Sequence, residues 1–325
     1  MNPICFYHIS DLDGKASAAI VYLAMQRAVE LCGIDYGWKF PWDRANNRNV
    51  IMVDFALEPF EEMIRLHDMS NLVWIDHHKT SLESYRKAQE IHPRIQIMGL
   101  RRDGTAGCEL AWEYFFTQKP MPEAIRLLGR YDVWDNKDEK EWMMNILPFQ
   151  YGMRALNLDP TDPYWSTLLQ PDTPAASAQP HNIIANGRSI LAYEDQQNAL
   201  YAKACSFETV MAEPIETGKP CRQLRVIACN KALTNSRLFD SVWDPEKYDL
   251  MASFYLQKAG TWKVSLYTTK PDVDVSVLAK ARGGGGHAKA AGFISKELPW
   301  WAVGRGMEEP EKAPGSPVEA PKEVE

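Results

Sequence analysis

Short apolar runs separated by stretches of helical periodicity dominate the first hundred residues. Ile4-Cys5-Phe6-Tyr7, Val50-Ile51-Met52-Val53 and Leu72-Val73-Trp74-Ile75 are continuous runs rich in β-branched and aromatic side chains. They are too short for buried helices and read as strands covered on both faces. They predict strands over residues 3–8, 49–54 and 71–76, with a further strand at 94–99. Ala16, Ala19, Ile20, Leu23 and Ala24 share one face at helical spacing and predict a helix over 14–31. Further helices are expected over 58–68 and 80–90. Strands alternating with helices imply right-handed crossovers and a mainly parallel, doubly wound sheet.

Beyond residue 100 the pattern turns helical. Thr105 is a candidate N-cap for a helix over 106–117, and a second helix begins after Pro122 and runs to Arg130. Residues 138–170 read as helix interrupted at Pro148, Pro160 and Pro163, and 171–180 as a turn or linker. A long helix over 181–204 then leads to a second block, with strands at 206–212, 222–229, 249–256 and 261–268 and helices near 234–242 and 274–281. The expected fold class is α/β: an N-terminal doubly wound, mainly parallel sheet with a helical insert, followed by a smaller C-terminal α/β domain. The corresponding domains are 1–180, a connecting helix 181–204, a second domain 205–307 and a tail 308–325, whose Pro and Glu content predicts disorder.

Composition narrows the classes. A chain of 325 residues with 45% hydrophobic and 24% charged residues is that of an ordinary globular protein with room for two cores. The net charge is -7, and the tail from Glu308, with six Glu and two Lys, carries -4 of it, leaving about -3 for the body. Such a balance argues against coating long duplex DNA and leaves room for a short nucleic acid in a locally basic cleft. The cysteines at 5, 32, 108, 205, 221 and 229 form no Cys-x2-Cys pair, which disfavours a zinc knuckle or a disulfide framework. No signal peptide is evident and no apolar run approaches the roughly 20 residues of a membrane helix, so a cytoplasmic protein without a membrane partner is expected.

The candidate chemistry sits where the apolar runs stop. His8, Asp11 and Asp13 follow the first run, Asp54 the second, and Asp76-His77-His78 the third; Asp132 lies in Tyr131-Asp132-Val133. In open parallel sheets ligands bind at the carboxyl ends of strands. A lone strand-end Asp is ordinarily a cap and a lone His ordinarily structural, but eight such groups at element ends point to metal. Phosphodiester hydrolysis needs neutralised phosphoryl oxygens and a hydroxide at neutral pH, and two divalent ions roughly 3.5–4 Å apart supply both. Mixed carboxylate and imidazole ligands suit manganese, with magnesium, cobalt or iron as competitors. A second signal is Arg282-Gly283-Gly284-Gly285-Gly286-His287, followed by the small residues 288–292. Four glycines disfavour a helix or strand interior and let backbone amides approach an anion, and residues 288–292 could open a helix whose N-terminus favours phosphate. Arg282, His287 and Lys289 add cationic donors.

These residues resemble the DHH phosphoesterases in the form that carries a DHH-associated accessory domain. His8 to Gly14 is similar to the first motif of that family, Val53-Asp54-Phe55 to the second, Asp76-His77-His78 to the third and Tyr131-Asp132 to the fourth, while Gly284 to Gly292 is similar to the accessory domain's glycine-rich motif. The Asp-Leu-Asp-Gly form of the first motif looks like the oligoribonuclease branch. The resemblance implies that His8, Asp11 and Asp54 hold one metal, and Asp13, Asp54, His77 and Asp132 the other, with Asp54 bridging. Asp135 is an alternative to Asp132. It further implies a catalytic group of Asp54, Asp76, His77 and His78, in which His78 contacts a phosphoryl oxygen and Asp76 orients an imidazole. Arg282, Gly284, Gly285, Gly286 and His287 would grip the substrate's phosphate end.

The implied activity is hydrolysis of short, single-stranded oligonucleotides, oligoribonucleotides above all, to mononucleotides with two manganese ions, for which magnesium or cobalt could substitute; a homodimer is compatible. The alternatives are a cyclic dinucleotide phosphodiesterase, a nucleotide 3'-phosphatase, and a non-catalytic nucleotide-binding protein. Weaker signals are Arg101-Arg102, read as a solvated turn that could add cations to the cleft, and Trp38, Phe40 and Trp42, read as core or rim packing with base stacking as the alternative.

Overall fold

The computed structural model describes residues 2–170, 173–213, 222–298 and 300. The chain divides into two compact units, Met1–Tyr193 and Glu194–Glu325. The expected tail, 308–325, lies outside the described residues.

The first unit is built on a four-stranded parallel sheet of order β2-β1-β3-β4, with β1 Ile4–His8, β2 Glu30–Ile34, β3 Asn49–Val53 and β4 Asn71–Ile75. The three apolar runs form β1, β3 and β4 because both faces are covered. Phe6, Met52 and Trp74 face one apolar cluster, and Cys5, Ile51 and Ile75 face another. Helices α1 Leu12–Ala24, α2 Trp42–Ala45, α3 Glu61–Met69 and α4 Lys79–Ile91 lie between and after the strands.

Two expectations are corrected here. The helix predicted over 14–31 stops at Ala24, because Gln26 and Arg27 take left-handed φ values of 51° and 67° and turn the chain into β2. Being an edge strand with an alternating burial pattern, β2 lacks the apolar run that marks its neighbours. The segment at 94–99 forms no strand and meets β4 only through single bridges, Val73 to Met98 and Asp76 to Arg101. Gly99 sits there at φ 121°, and a Cβ on it would lie 2.0 Å from Trp74 O.

The insert is helical: α5 Gly107–Phe115, α6 Glu123–Asp132, α7 Glu139–Glu141, a π-turn Trp142–Ile146, α8 Leu147–Leu156, α9 Tyr164–Leu169, α10 Pro174–Ser177 and α11 Gln179–Cys205. Two readings are corrected: Pro148 interrupts nothing, because it stands in the first turn of α8 where no amide is needed, and 171–180, expected as a turn or linker, holds α10 and the start of α11. α5 begins one residue later than expected, with Ala106 rather than Thr105 at its N-cap. Trp112, Leu128, Phe149, Trp165 and Ile184 share one buried cluster that fixes these helices against α1. No helix among the described residues is long and apolar enough to cross a membrane.

The second unit is a six-stranded sheet of order β5-β6-β7-β8-β10-β9, comprising β5 Ser206–Ala212, β6 Gln223–Asn230, β7 Leu250–Leu256, β8 Trp262–Tyr267, β9 Gly285–His287 and β10 Ala290–Ser295. Only β6 and β7 pair in parallel. α12 Val275–Lys280 packs on it, and a 3-10 turn, Ser236–Phe239, stands where a helix was expected near 234–242. The glycine run is corrected as well. Residues 288–292 open no helix; Gly285 and Gly286 enter the edge strand β9, which turns back into β10. Two of the glycines are needed for close approach, since a Cβ on Gly284 would lie 2.1 Å from Gly292 O and one on Gly286 would lie 2.6 Å from Ala291 Cα.

Candidate functional site

The first three groups come from one strand–helix junction. β1 ends at His8, Asp11 caps α1 by accepting a hydrogen bond from Gly14 N at 2.8 Å, and Asp13 stands in the first turn. The turn is tight: a Cβ on Gly14 would lie 2.0 Å from His8 O, which gives the Asp-Leu-Asp-Gly motif its glycine. Asp13 is buried, and its two oxygens accept from Gly107 N and Cys108 N at 2.7 Å each. The first turn of α5 therefore holds this carboxylate with its unpaired amides. Gly107 permits the approach, because a Cβ there would stand 2.8 Å from Asp54 Cβ and 3.0 Å from Asp13 Oδ2.

Asp54 follows β3 with φ 53°, a left-handed conformation that costs energy for a residue with a Cβ. Its amide donates to Ile75 O at 2.9 Å and fixes it between the ends of β3 and β4. The residue is 1% exposed, yet neither carboxylate oxygen has a hydrogen-bond partner among the described residues. Asp76 behaves differently. Its Oδ1 accepts from His77 N at 2.8 Å and lies 2.7 Å from His78 Nδ1, so it orients the His78 ring.

The groups converge. His77 Nε2 lies 3.2 Å from Asp54 Oδ1, 3.3 Å from Asp132 Oδ2 and 3.6 Å from Asp13 Oδ2. His8 Nδ1 lies 2.5 Å from Asp11 Oδ2 and 3.9 Å from Asp54 Oδ2. Three overlapping sets have ligand atoms spaced for a metal: His8, Asp11 and Asp54; Asp13, His77 and Asp132; and Asp54, His77 and His78. Burial, compounded by the charges of Asp13, Asp11 and Asp132, pushes the Asp54 carboxyl well above the usual range. Burial and the charges of Asp13, Asp11 and Glu109 push Asp132 up to about 9. For His8 and His78, burial acts downward but is outweighed by the carboxylates of Asp11 and Asp76 respectively, so both imidazoles are raised. The pair of Asp54 and Asp132, raised by burial and by their acidic neighbours, with Asp54 lacking a hydrogen-bond donor among the described residues, fits divalent cations.

All eight sequence-predicted groups, His8, Asp11, Asp13, Asp54, Asp76, His77, His78 and Asp132, thus lie together in the first unit. Asp135 stands apart from the three sets and pairs with Arg130 Nε at 3.0 Å. Arg101 is no cleft cation: its guanidinium donates to Trp74 O and Ile97 O at 2.7 Å and stacks on Tyr85. The glycine-run residues lie in the second unit. There His287 is exposed at the end of β9, and Arg282 donates to Leu278 O at 2.9 Å and Ala212 O at 3.0 Å. Sequence reasoning missed Gly107, Asp35 and Tyr36. Asp35 Oδ1 is 3.4 Å from His8 Nε2, and the Tyr36 ring contacts both His8 and His78. Both follow β2, and the acidic–aromatic pair after that strand is the signal that would have flagged them.

Residues 3–129 match the profile described as DHH family, N-terminal domain. The chain is 27% identical over 266 residues to an uncharacterized protein, R106, of Acanthamoeba polyphaga mimivirus, covering 77% of this chain and 54% of that protein. It spans about half the length of that curated relative. Among solved structures, the pGpG-specific phosphodiesterase PggH of Vibrio cholerae superposes with a TM-score of 0.50 at 11% identity, covering 91% of this chain and 93% of that one. RecJ of Thermus thermophilus, in complex with Mn2+, gives 0.46 at 14% identity, covering 93% of this chain and 50% of that one.

Proposed function

Since residues 3–129 match the profile of the DHH family, N-terminal domain, we propose that the chain is a divalent-metal-dependent phosphodiesterase that hydrolyses short oligonucleotides, oligoribonucleotides in particular, to mononucleotides. The observation that carries the reading is Asp54: a buried carboxylate without a donor, shared by two of the three ligand sets. Two divalent ions, manganese first, with magnesium or cobalt as substitutes, would neutralise the phosphoryl oxygens and supply hydroxide at neutral pH. His8, Asp11 and Asp54 would hold one; Asp13, Asp54, His77 and Asp132 would hold the other.

His78, braced by Asp76 at Nδ1, would present its remaining nitrogen to a phosphoryl oxygen. The amides of Gly107 and Cys108 at the start of α5 fix the direction of the Asp13 carboxylate. In the second unit, the exposed His287 and the backbone of Gly284 to Gly286 would take the phosphate end of the substrate, with Arg282, whose guanidinium donates to Leu278 O and Ala212 O, at the start of the run. The fold likeness to a pGpG-specific enzyme supports testing a linear dinucleotide first.

The test is chromatographic analysis of products from 5'-labelled RNA dinucleotides, pentamers and 24-mers, and from a cyclic dinucleotide, in manganese. Rapid release of mononucleotides from the short linear RNAs, abolished by chelation and by Asp54→Ala, is the expected outcome. Cleavage of the cyclic substrate alone would move the assignment to signalling-nucleotide turnover. Binding without cleavage of any substrate would reject catalysis. His287→Ala should raise KM for the dinucleotide while kcat stays near wild type.

A further inference from the structure

We infer that the loop following β2 is the nucleobase-binding element of this site, with Tyr36 stacking on the base next to the phosphate held by the carboxylate–imidazole cluster. The inference rests on the reading that the substrate is a nucleotide. β2 is the neighbour of β1 in a parallel sheet, so its loop leaves the sheet at the same end as His8. The loop is latched there. The Asp35 carboxylate accepts from Tyr36 N at 2.8 Å and from Ser10 Oγ, and it lies 3.4 Å from His8 Nε2. Trp38 N donates back to Asp35 O at 3.1 Å, closing a turn around Gly37, whose φ of 81° suits glycine.

This latch holds the Tyr36 ring against the cluster. Its centroid is 4.5 Å from that of Phe55, the residue after Asp54, with the planes tilted by 31°. It meets the His8 and His78 rings edge-on, at 5.6 Å and 6.5 Å. Phe55 is buried and supports one side of the ring, while Tyr36 stays 41% exposed. An aromatic ring backed by a buried aromatic, touching two candidate ligands and open to solvent, is a stacking platform rather than core. Every base offers a π-face to such a ring, and no hydrogen-bond code is needed. Two residues on, Trp38 is 61% exposed, while Phe40 is buried and Trp42 is taken by Arg65, whose guanidinium lies 3.9 Å from its ring. Of the three aromatics read in the sequence as packing, only Trp38 is left open to a ligand. The phenol itself stays neutral, because burial and the charges of Asp76 and Asp54 raise it above its ordinary value.

The experiment uses the full chain and a dinucleotide carrying 2-aminopurine. Binding is followed by fluorescence in calcium, and turnover in manganese is read as kcat and KM separately. Stacking predicts quenching on binding to the wild type, lost in Tyr36→Leu and restored in Tyr36→Phe, which keeps the ring and removes the hydroxyl. Tyr36→Leu should raise KM by about 5- to 150-fold, the range for losing one base–aromatic stack, and Trp38→Ala by a smaller factor. Retained quenching and KM in Tyr36→Leu, or a fall in kcat alone, would overturn the stacking role. Loss in Tyr36→Phe equal to that in Tyr36→Leu would overturn it too, by assigning the effect to the hydroxyl. A wild type that neither binds nor cleaves the dinucleotide would instead reject the nucleotide reading on which the inference stands.

Discussion

At the scale of single residues, the site is an arrangement that a metal-free protein pays for. Asp54 combines a left-handed backbone, full burial and a carboxylate facing other carboxylates. Removing its charge should separate stability from activity. Asp54→Asn keeps the shape and tolerates the left-handed conformation. It is expected to abolish manganese-dependent hydrolysis while raising the melting temperature of the chelated protein by roughly 2–4 °C, the shift for about 1 kcal/mol in a unit of this size. Calorimetry of both proteins in EDTA checks this; an unchanged or lower melting temperature would deny the stored repulsion. Asp76 acts through the His78 ring it orients, so Asp76→Ala should weaken manganese binding or turnover by about 10–100-fold, the usual cost of losing an orienting carboxylate. The sequence revealed these ligand-type residues because each follows an apolar run, where an acid or imidazole has no reason to be unless something uses it. Gly107 was not legible, because its value comes from Asp13 and Asp54, far away in sequence, whereas Tyr36 was missed together with the strand it follows.

At the scale of elements, the apolar runs announced β1, β3 and β4, and the helical periodicities announced the insert. The failures have separate causes. In the edge strand β2 only Cys32 and Ile34 are buried, so its sequence carries no continuous apolar run and was absorbed into the preceding helix. The glycine run failed in the other direction: entropy disfavours glycine in a strand, but at Gly284 and Gly286 the backbone of β10 comes closer than a Cβ allows. The least legible element relation is the docking of the α5 N-terminus onto Asp13. Gly107→Ala tests it. The added Cβ would press on Asp54 Cβ at 2.8 Å and Asp13 Oδ2 at 3.0 Å, neither of which can retreat far. Manganese affinity, measured by titration calorimetry, should fall at least tenfold with the helical circular dichroism retained. Wild-type affinity would show that the helix terminus has room to move.

At the scale of the whole molecule, the two units should answer pH and metal differently. In the first, Asp54 and Asp132 have carboxyls raised by burial and mutual repulsion, Asp132 to about 9. An acid whose folded value exceeds its unfolded one binds more protons when folded, so stability falls as pH climbs from the ordinary carboxylate range toward 9. The raised imidazoles of His8 and His78 add the same sign, since a raised base stabilises below its unfolded value and loses that contribution as pH rises. In the second unit Asp249 is held well below its usual value, first by hydrogen bonds from Arg225 and then by Lys270. Its contribution is present above the ordinary carboxylate range and is lost only in acid. Raising pH from 6 to 8 in EDTA should therefore loosen the first unit and leave the second unchanged. Manganese, by binding only the folded cluster, should reverse the loosening by about 2.7 kcal/mol at a hundredfold excess over Kd. Amide exchange, corrected for its intrinsic pH dependence, resolves this by unit. Peptides covering β1, β3 and β4 should exchange faster at pH 8 without metal and slow on adding manganese, while those of β6, β7 and β8 should not respond. Equal responses in both sets would mean that the carboxylate cluster does not set the first unit's stability.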